Sequence, residues 1–238
     1  MKFTVITIFP QLIEDYFKEG ILSRALKKKQ VQLKTVNPRK FTKDRHQTVD
    51  DLPYGGGAGL VMKPEPIVRA IRSVAKFTTR HPELVSRSLS QTGKMLKQVQ
   101  HDRKKMRIIL LDPRGKRFTQ KDAKRLVKYD DIVFVSGRYE GIDERVKHYV
   151  DERISVGDFV LMGGELAALT IMETVARLLP GVLHHPESAK DESFSDGQTL
   201  EYPQYTRPEM FEGRRVPKVL LSGNHQKIKE WRQRHSKR

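Results

Sequence analysis

The chain has 238 residues, a length that fits one large domain, or one domain with a small appendage. Charged residues make up 32% of it, with 46 Lys and Arg against 29 Asp and Glu, for a formal charge of +17. That composition excludes a membrane bundle, and the absence of any cysteine excludes disulfide scaffolds, zinc ribbons, Fe–S clusters and thiol catalysis.

The first expected strand is Lys2–Phe9 (KFTVITIF), an apolar run too short for a secretion signal. Pro10, Glu14 and Asp15 follow it, with no small-residue cleavage site. No later stretch approaches the ~18 apolar residues of a spanning helix, so a soluble, cytoplasmic protein is expected. A helix over Gln11–Lys18 and a strand over Val31–Val36 come next. Asp44–Pro66 is polar and glycine-rich without a period, which predicts a long ordered loop, and Pro66–Ala75 returns to helical spacing. Residues 78–105 read as a basic insertion, since 76–107 hold nine Lys/Arg against two acids.

Strands are expected again at Met106–Leu111 and Asp131–Val135, with a helix over Thr119–Val127 between them. Thr119 is its N-cap, and Asp122, three residues on, completes a capping box. A strand at Arg153–Leu161, interrupted by Gly157, leads into a helix over Glu165–Leu179. There Leu166, Leu169, Thr170, Glu173 and Arg177 recur at intervals of three and four, and Pro180-Gly181 is the stop. Pro180–Pro208 is a long loop of a kind that compact domains seldom keep without a use. A last helix, Gln226–Arg234, lies within 213–238, which carry nine Lys/Arg against one acid. The alternation of strand and helix argues an α/β fold with a largely parallel sheet. Two basic segments on a nearly neutral body point to an acidic polymer, nucleic acid first; a solubilising tail and a tolerated insertion are the alternative.

Several motifs carry possible chemistry. Tyr54-Gly55-Gly56-Gly57-Ala58-Gly59 lacks the Gly-Lys-Ser/Thr ending of a nucleotide loop and the dinucleotide spacing. Its glycines still let backbone approach a ligand closely, against the plainer reading of a surface turn. Ser136-Gly137-Arg138-Tyr139-Glu140 follows a strand directly, the usual ligand position in an open α/β sheet. Glu140 is a candidate to hold an ammonium group, or else a helix N-terminal acid. Val156–Leu161 and then Gly163-Gly164 open the long helix and suit an adenine held by backbone between apolar walls. Arg177, Asp191 and Glu192 taken singly read as surface residues. On a nucleic-acid-seeking surface, an acid on a loop can remove a proton from a base while an arginine neutralises the charge that develops. His184-His185 lacks a Cys or an i, i+4 partner, so no metal site is expected, and no residue pattern speaks to magnesium.

The runs DRHQTVDDLPYGGGAGLVMKPEP, GRYEGIDERV, SVGDFVLMGGELAALTIMETVARLLPGVL, ESFSDG with EYPQYTRP, and VPKVLLSGNH resemble those of the bacterial tRNA (guanine-N1)-methyltransferases, the TrmD family. The resemblance implies a SPOUT-superfamily α/β fold, in which the C-terminal part of the parallel sheet is tied into a deep trefoil knot. General connection rules would not anticipate that feature. It implies S-adenosylmethionine as cofactor, S-adenosylhomocysteine as product, and a homodimer with a shared active site. The substrate implied is tRNA with guanosine at positions 36 and 37, methylated on N1 of guanosine 37. Pro113, Gly137, Glu140, Val156, Gly157, Asp158, Phe159, Val160, Leu161, Gly163 and Gly164 are implied at the cofactor; His46, Asp50 and Gly59 at the tRNA; and Arg177 at the guanine O6. Where the family carries Asp before a Ser-Phe pair, this chain has Glu192, preceded by Asp191. Glu192 is the expected base and Asp191 the alternative. By domains, the resemblance implies a SPOUT methyltransferase domain over 1–179, an active-site loop over 180–208 and a truncated tRNA-binding segment over 209–238. A SPOUT enzyme acting at another tRNA position and a catalytically impaired RNA-binding relative are the rival readings.

Overall fold

The computed structural model describes residues 1–75, 105–184 and 192–236. The expected basic insertion, apart from Lys105, lies outside the described residues, as do His185 and Asp191. In chain order the elements are β1 (Lys2–Ile6), α1 (Pro10–Tyr16), α2 (Gly20–Lys27), β2 (Gln32–Val36), β3 (Asp50–Asp51), β4 (Val61–Met62), α3 (Pro64–Val74), β5 (Met106–Arg117), α4 (Gln120–Leu126), β6 (Asp131–Ser136), β7 (Glu152–Ser155) and α5 (Glu165–Ala176). After these come the short hairpin β8 (Met210–Phe211) and β9 (Arg214–Arg215), then α6 (Lys218–Leu221) and α7 (His225–His235). No described helix is long and apolar enough to cross a membrane.

Five strands form one sheet in the order β2-β1-β6-β5-β7, every pair parallel, as the alternating pattern predicts. All six residues of the central β6 are buried, because helices cover both faces of a parallel sheet. On one face Phe3, Ile132, Phe134 and Ile109 pack with α5 residues Ala168, Ile171, Met172 and Val175. On the other, Ile6, Val133, Val135 and Leu110 pack with α3 residues Ile67, Val68 and Ile71.

Three departures from the sequence pattern matter for the site. β5 runs on past Leu111: after pairing with β6 its register shifts between Leu111 and Lys116, and it meets β7 again at Lys116 and Arg117. Gly115 makes this approach feasible, since a Cβ there would lie 2.5 Å from the backbone nitrogen of Ile154. The polar run DPRGK conceals a strand whose partner is distant in sequence. β7 stops at Ser155, and 156–161 leave the sheet altogether. In α5 the periodic set marks the outer face: Leu166, Thr170 and Glu173 are exposed and Arg177 is the C-cap, while of that set only Leu169 is buried. Helix α2 escapes the pattern because only Leu22 and Ala25 of its eight residues are buried. The capping box of α4 forms as expected, with Thr119 and Asp122 satisfying each other's backbone.

Candidate functional site

The carboxyl ends of β5, β6 and β7 open onto one cleft of about 210 Å³. Pro113 borders it from the irregular middle of β5, Gly137 and Glu140 after β6, and Val156, Gly157, Phe159, Val160 and Leu161 after β7, with Gly163 and Gly164 closing it at the start of α5. The strand ends thus bring together ten of the eleven residues expected at the cofactor. Asp158 alone points elsewhere, pairing with Arg117 at 3.1 Å. The two loops that form the cleft are pinned to each other, since Gly164 N–H donates to the Gly137 carbonyl at 2.9 Å. A Cβ on Gly164 would lie 2.8 Å from Ser136 Cα, and one on Gly157 would lie 2.3 Å from the Phe159 ring. Glycine is therefore required at 164 by backbone packing, whereas a side chain at 157 would have to displace the half-exposed Phe159 ring; backbone is exposed where a flat ligand can meet it between Val156, Leu161 and Ile154.

Two groups that shape the cleft escape sequence reading. Glu165, 1% exposed, accepts from Thr7 Oγ1 at 2.6 Å and from Arg138 Nε at 2.9 Å. Arg138 in turn lies over the Phe9 ring, 4.6 Å from its centroid. Removing either partner of such a buried pair leaves an uncompensated charge. The signal for Glu165 is its position directly after two glycines at a helix start; its burial under β1 is a long-range contact that no local pattern encodes.

A second cavity, about 830 Å³, adjoins the cleft and shares Pro113, Gly137 and Glu140 with it. Its far wall is the polar loop before α3. That loop is ordered as expected, although β3 and β4 pair within it. Met62 anchors it: its N–H donates to the Gly141 carbonyl at 2.9 Å, and its carbonyl accepts from Asp143 N–H at 3.1 Å. Gly59, at φ +83°, sits so close to Glu140 that a Cβ would be 2.6 Å from the acid's Oε1. Asp50 lies in β3 and His46 is exposed earlier in the same loop; of the three residues expected at tRNA, only Gly59 is in contact with a cleft residue, and none of them lines this cavity.

The expected catalytic pair is brought together, but at a different place. Arg177 Nη2 lies 2.6 Å from Glu192 Oε2, and Glu192 is largely buried. The contact lacks hydrogen-bond alignment, leaving Oε2 without a donor among the described residues. Oε1 accepts from Gln120 Nε2 at 3.2 Å. The loop presenting Glu192 is tied to itself: Asp196 accepts from Gln198 N–H and Thr199 N–H at 2.9 and 2.7 Å. The Thr199 hydroxyl and these two amides push the Asp196 carboxyl down to about 2. Arg177 also borders a cavity of about 560 Å³ with Tyr16 and Glu173. There the Tyr16 hydroxyl donates to Glu173, and the carboxylate raises the phenol above its ordinary range. Arg177 ends α5 and Gly164 begins it. At 1.5 Å per residue, the pair and the cleft are about 20 Å apart along one chain.

A crevice at the carboxyl ends of parallel strands, floored by glycines and edged by an acid, is the position at which open α/β proteins take their ligands. A family model described as tRNA (Guanine-1)-methyltransferase TrmD matches residues 1–238. Relatives named tRNA (guanine-N(1)-)-methyltransferase agree with it. That of Clostridium perfringens (strain SM101 / Type A) is 46% identical over 236 residues, covering 99% of this chain and 88% of the relative. Those of Anoxybacillus flavithermus (strain DSM 21510 / WK1) and Persephonella marina (strain DSM 14350 / EX-H1) are each 47% identical, covering 100% and 98% of this chain and 87% and 82% of the relatives. The chain belongs to the TrmD family of tRNA (guanine-1)-methyltransferases.

Proposed function

We propose that this chain is a transferase that methylates N1 of guanosine 37 in tRNA, next to the anticodon, with S-adenosylmethionine as donor. The observation that carries the reading is the cleft, in which the residues matching the family's cofactor motif converge from three strand ends. Their chemistry fits that ligand: apolar walls at Val156 and Leu161 for an adenine, backbone bared at Gly157, Gly163 and Gly164, and the Glu140 carboxylate at the rim for an ammonium. When bound, the ligand supplies an electrophilic methyl group carried on a sulfonium. The protein's part is then positioning and proton transfer. Glu192 Oε2 takes the N1 proton, Arg177 moves from that oxygen to the guanine O6, and the loop holding His46, Asp50 and Gly59 meets the bases beside the target.

The 20 Å separation supports a homodimer with a shared active site. Packing α5 antiparallel against α5 of a second copy carries the Arg177–Glu192 end of one chain to the cleft end of the other. The exposed stripe Leu166, Thr170 and Glu173, with Val160 and Met162 bare beside it, is the face such packing covers. Residues 1–179 serve as the methyltransferase domain, tied by the family's trefoil knot, and 180–208 as the active-site loop. Residues 209–238 serve as the tRNA-binding segment, where α7 docks Trp231 against Tyr202 and Tyr205 and keeps its lysines and arginines outward. A cytoplasmic location follows from the substrate. The test is methyl transfer from labelled S-adenosylmethionine to two unmodified tRNA transcripts, one with guanosine at 36 and 37 and one with adenosine at 37. Incorporation into the first alone is expected; equal incorporation into both overturns the position, and none into either, with cofactor bound, overturns the activity.

A further inference from the structure

Glu192 carries its carboxylate on a long side chain from a loop, so the carboxylate needs a fixed seat. Two helices supply it. From α5, Arg177 approaches Oε2; from the first turn of α4, Gln120 donates to Oε1. A second contact from α4 secures the loop behind: Lys124 Nζ donates to the Ser195 carbonyl at 2.5 Å. Helix α4 is itself immobilised. Asp122 closes its capping box and meets Lys116 and Arg125, and Arg125 continues to Glu152, which Arg107 also holds.

We infer that Gln120 is a positioning residue for the base: it occupies Oε1 of Glu192 and so leaves Oε2 as the oxygen that accepts the guanine proton. The inference rests on the reading of Glu192 as the base. A carboxylate with one oxygen spent on a neutral amide donor has a defined free lone pair. When Arg177 transfers to the guanine O6, Gln120 is, among the described residues, the donor that still keeps the carboxylate from rotating. Gln120 touches neither cleft nor polar loop, so its effect on the reaction runs through Glu192.

The test measures kcat, cofactor dissociation constant and pH–rate profile for the full-length dimer carrying Gln120→Ala, Gln120→Glu and Glu192→Gln, with Gln120→Ala also placed in the Glu192→Gln background. Gln120→Ala should lower kcat roughly tenfold to a hundredfold, the range for a hydrogen bond to a charged group, with cofactor affinity unchanged. Gln120→Glu sets a second carboxylate against the base and should move the acidic limb of the rate profile to higher pH. In the Glu192→Gln background the alanine should add less than about twofold, because the group it positions is already gone. A wild-type kcat in Gln120→Ala overturns the inference, as does a parallel loss of cofactor binding, which marks α4 as mere support. An unmoved acidic limb in Gln120→Glu, or full additivity in the double variant, also overturns it. Glu192→Gln turning over at the wild-type rate overturns the base assignment instead, and it is read without any change at Gln120.

Discussion

The cleft and the Arg177–Glu192 pair sit at opposite ends of α5 and are built by opposite means. The cleft is backbone chemistry: strand ends, glycines at close approaches, and one buried Thr7–Glu165–Arg138 cluster that fixes the turn. Nothing in it depends on a long side chain reaching across solvent. The pair is side-chain chemistry, held by one ion contact, one amide hydrogen bond and a loop that ties itself through Asp196. A rigid pocket suits a ligand that must be gripped the same way each time. A side-chain pair that can part suits a substrate base that must enter between its members.

The sharpest way to break this comparison is to remove proton transfer and leave the cleft intact. Glu192→Gln should lower methyl transfer by about 10²–10⁴-fold, the range for a general base, with cofactor binding unchanged by calorimetry. If the pair serves the cleft of a second copy, two impaired proteins should repair each other. Mixing Glu192→Gln with a cleft variant such as Gly157→Val, at a cofactor concentration too low to load the variant cleft, and allowing exchange should restore about a quarter of the wild-type activity at that concentration, since half the dimers are mixed and each mixed dimer holds one intact site. No recovery after demonstrated exchange places both halves of the site in one chain.

The two regions were unequally legible in the sequence. The cleft could be read because its requirements are local: a glycine after β6, a glycine pair before α5, an apolar run between. The α/β class with a parallel sheet, the α4 capping box, and strands β1, β2, β6 and the first half of β5 followed from patterns of the same short range. Spacing located α5 but could not say which of its faces is inside. Leu166, Thr170 and Glu173 share the helical period and are exposed, while Ala168, Ile171, Met172 and Val175 carry the core. Lost altogether were contacts between distant segments: β5 returning to β7 at Gly115, Thr7 beneath Glu165, and Gln120 seated against Glu192, 72 positions away in sequence.

On the cleft side, Gly157→Val sharpens the contrast with a smaller effect. The added atoms displace the Phe159 ring, and overpacking of about 1–3 kcal/mol corresponds to roughly fivefold to a hundredfold weaker cofactor binding. Affinity for tRNA, which depends on the basic segments and on salt, should stay unchanged in a filter-binding titration. Equal loss of both affinities means that the cleft and the RNA surface are one folding unit rather than separable sites.

The smallest expected effect is on stability, and it tests whether the side-chain end rests on a rigid base. Asp122 is buried in the first turn of α4; desolvation works against its charge, but hydrogen bonds from Lys116 and Thr119 outweigh this and hold the carboxyl below its ordinary 3.8. Because its pKa is depressed in the fold, Asp122 stabilises fully above the unfolded value and progressively less as pH falls toward the folded one. Asp122→Ala should therefore lower stability by about 2 kcal/mol near neutrality, a buried hydrogen-bonded charge lost, and the gap from wild type should close below pH 3.8. Thermal unfolding of both proteins from pH 7 to pH 3 reads this directly. A gap that stays constant through the acid range would mean that the variant acts through lost packing rather than through the carboxylate's charge, and the ion network under Gln120 would then contribute nothing to holding Glu192 in place.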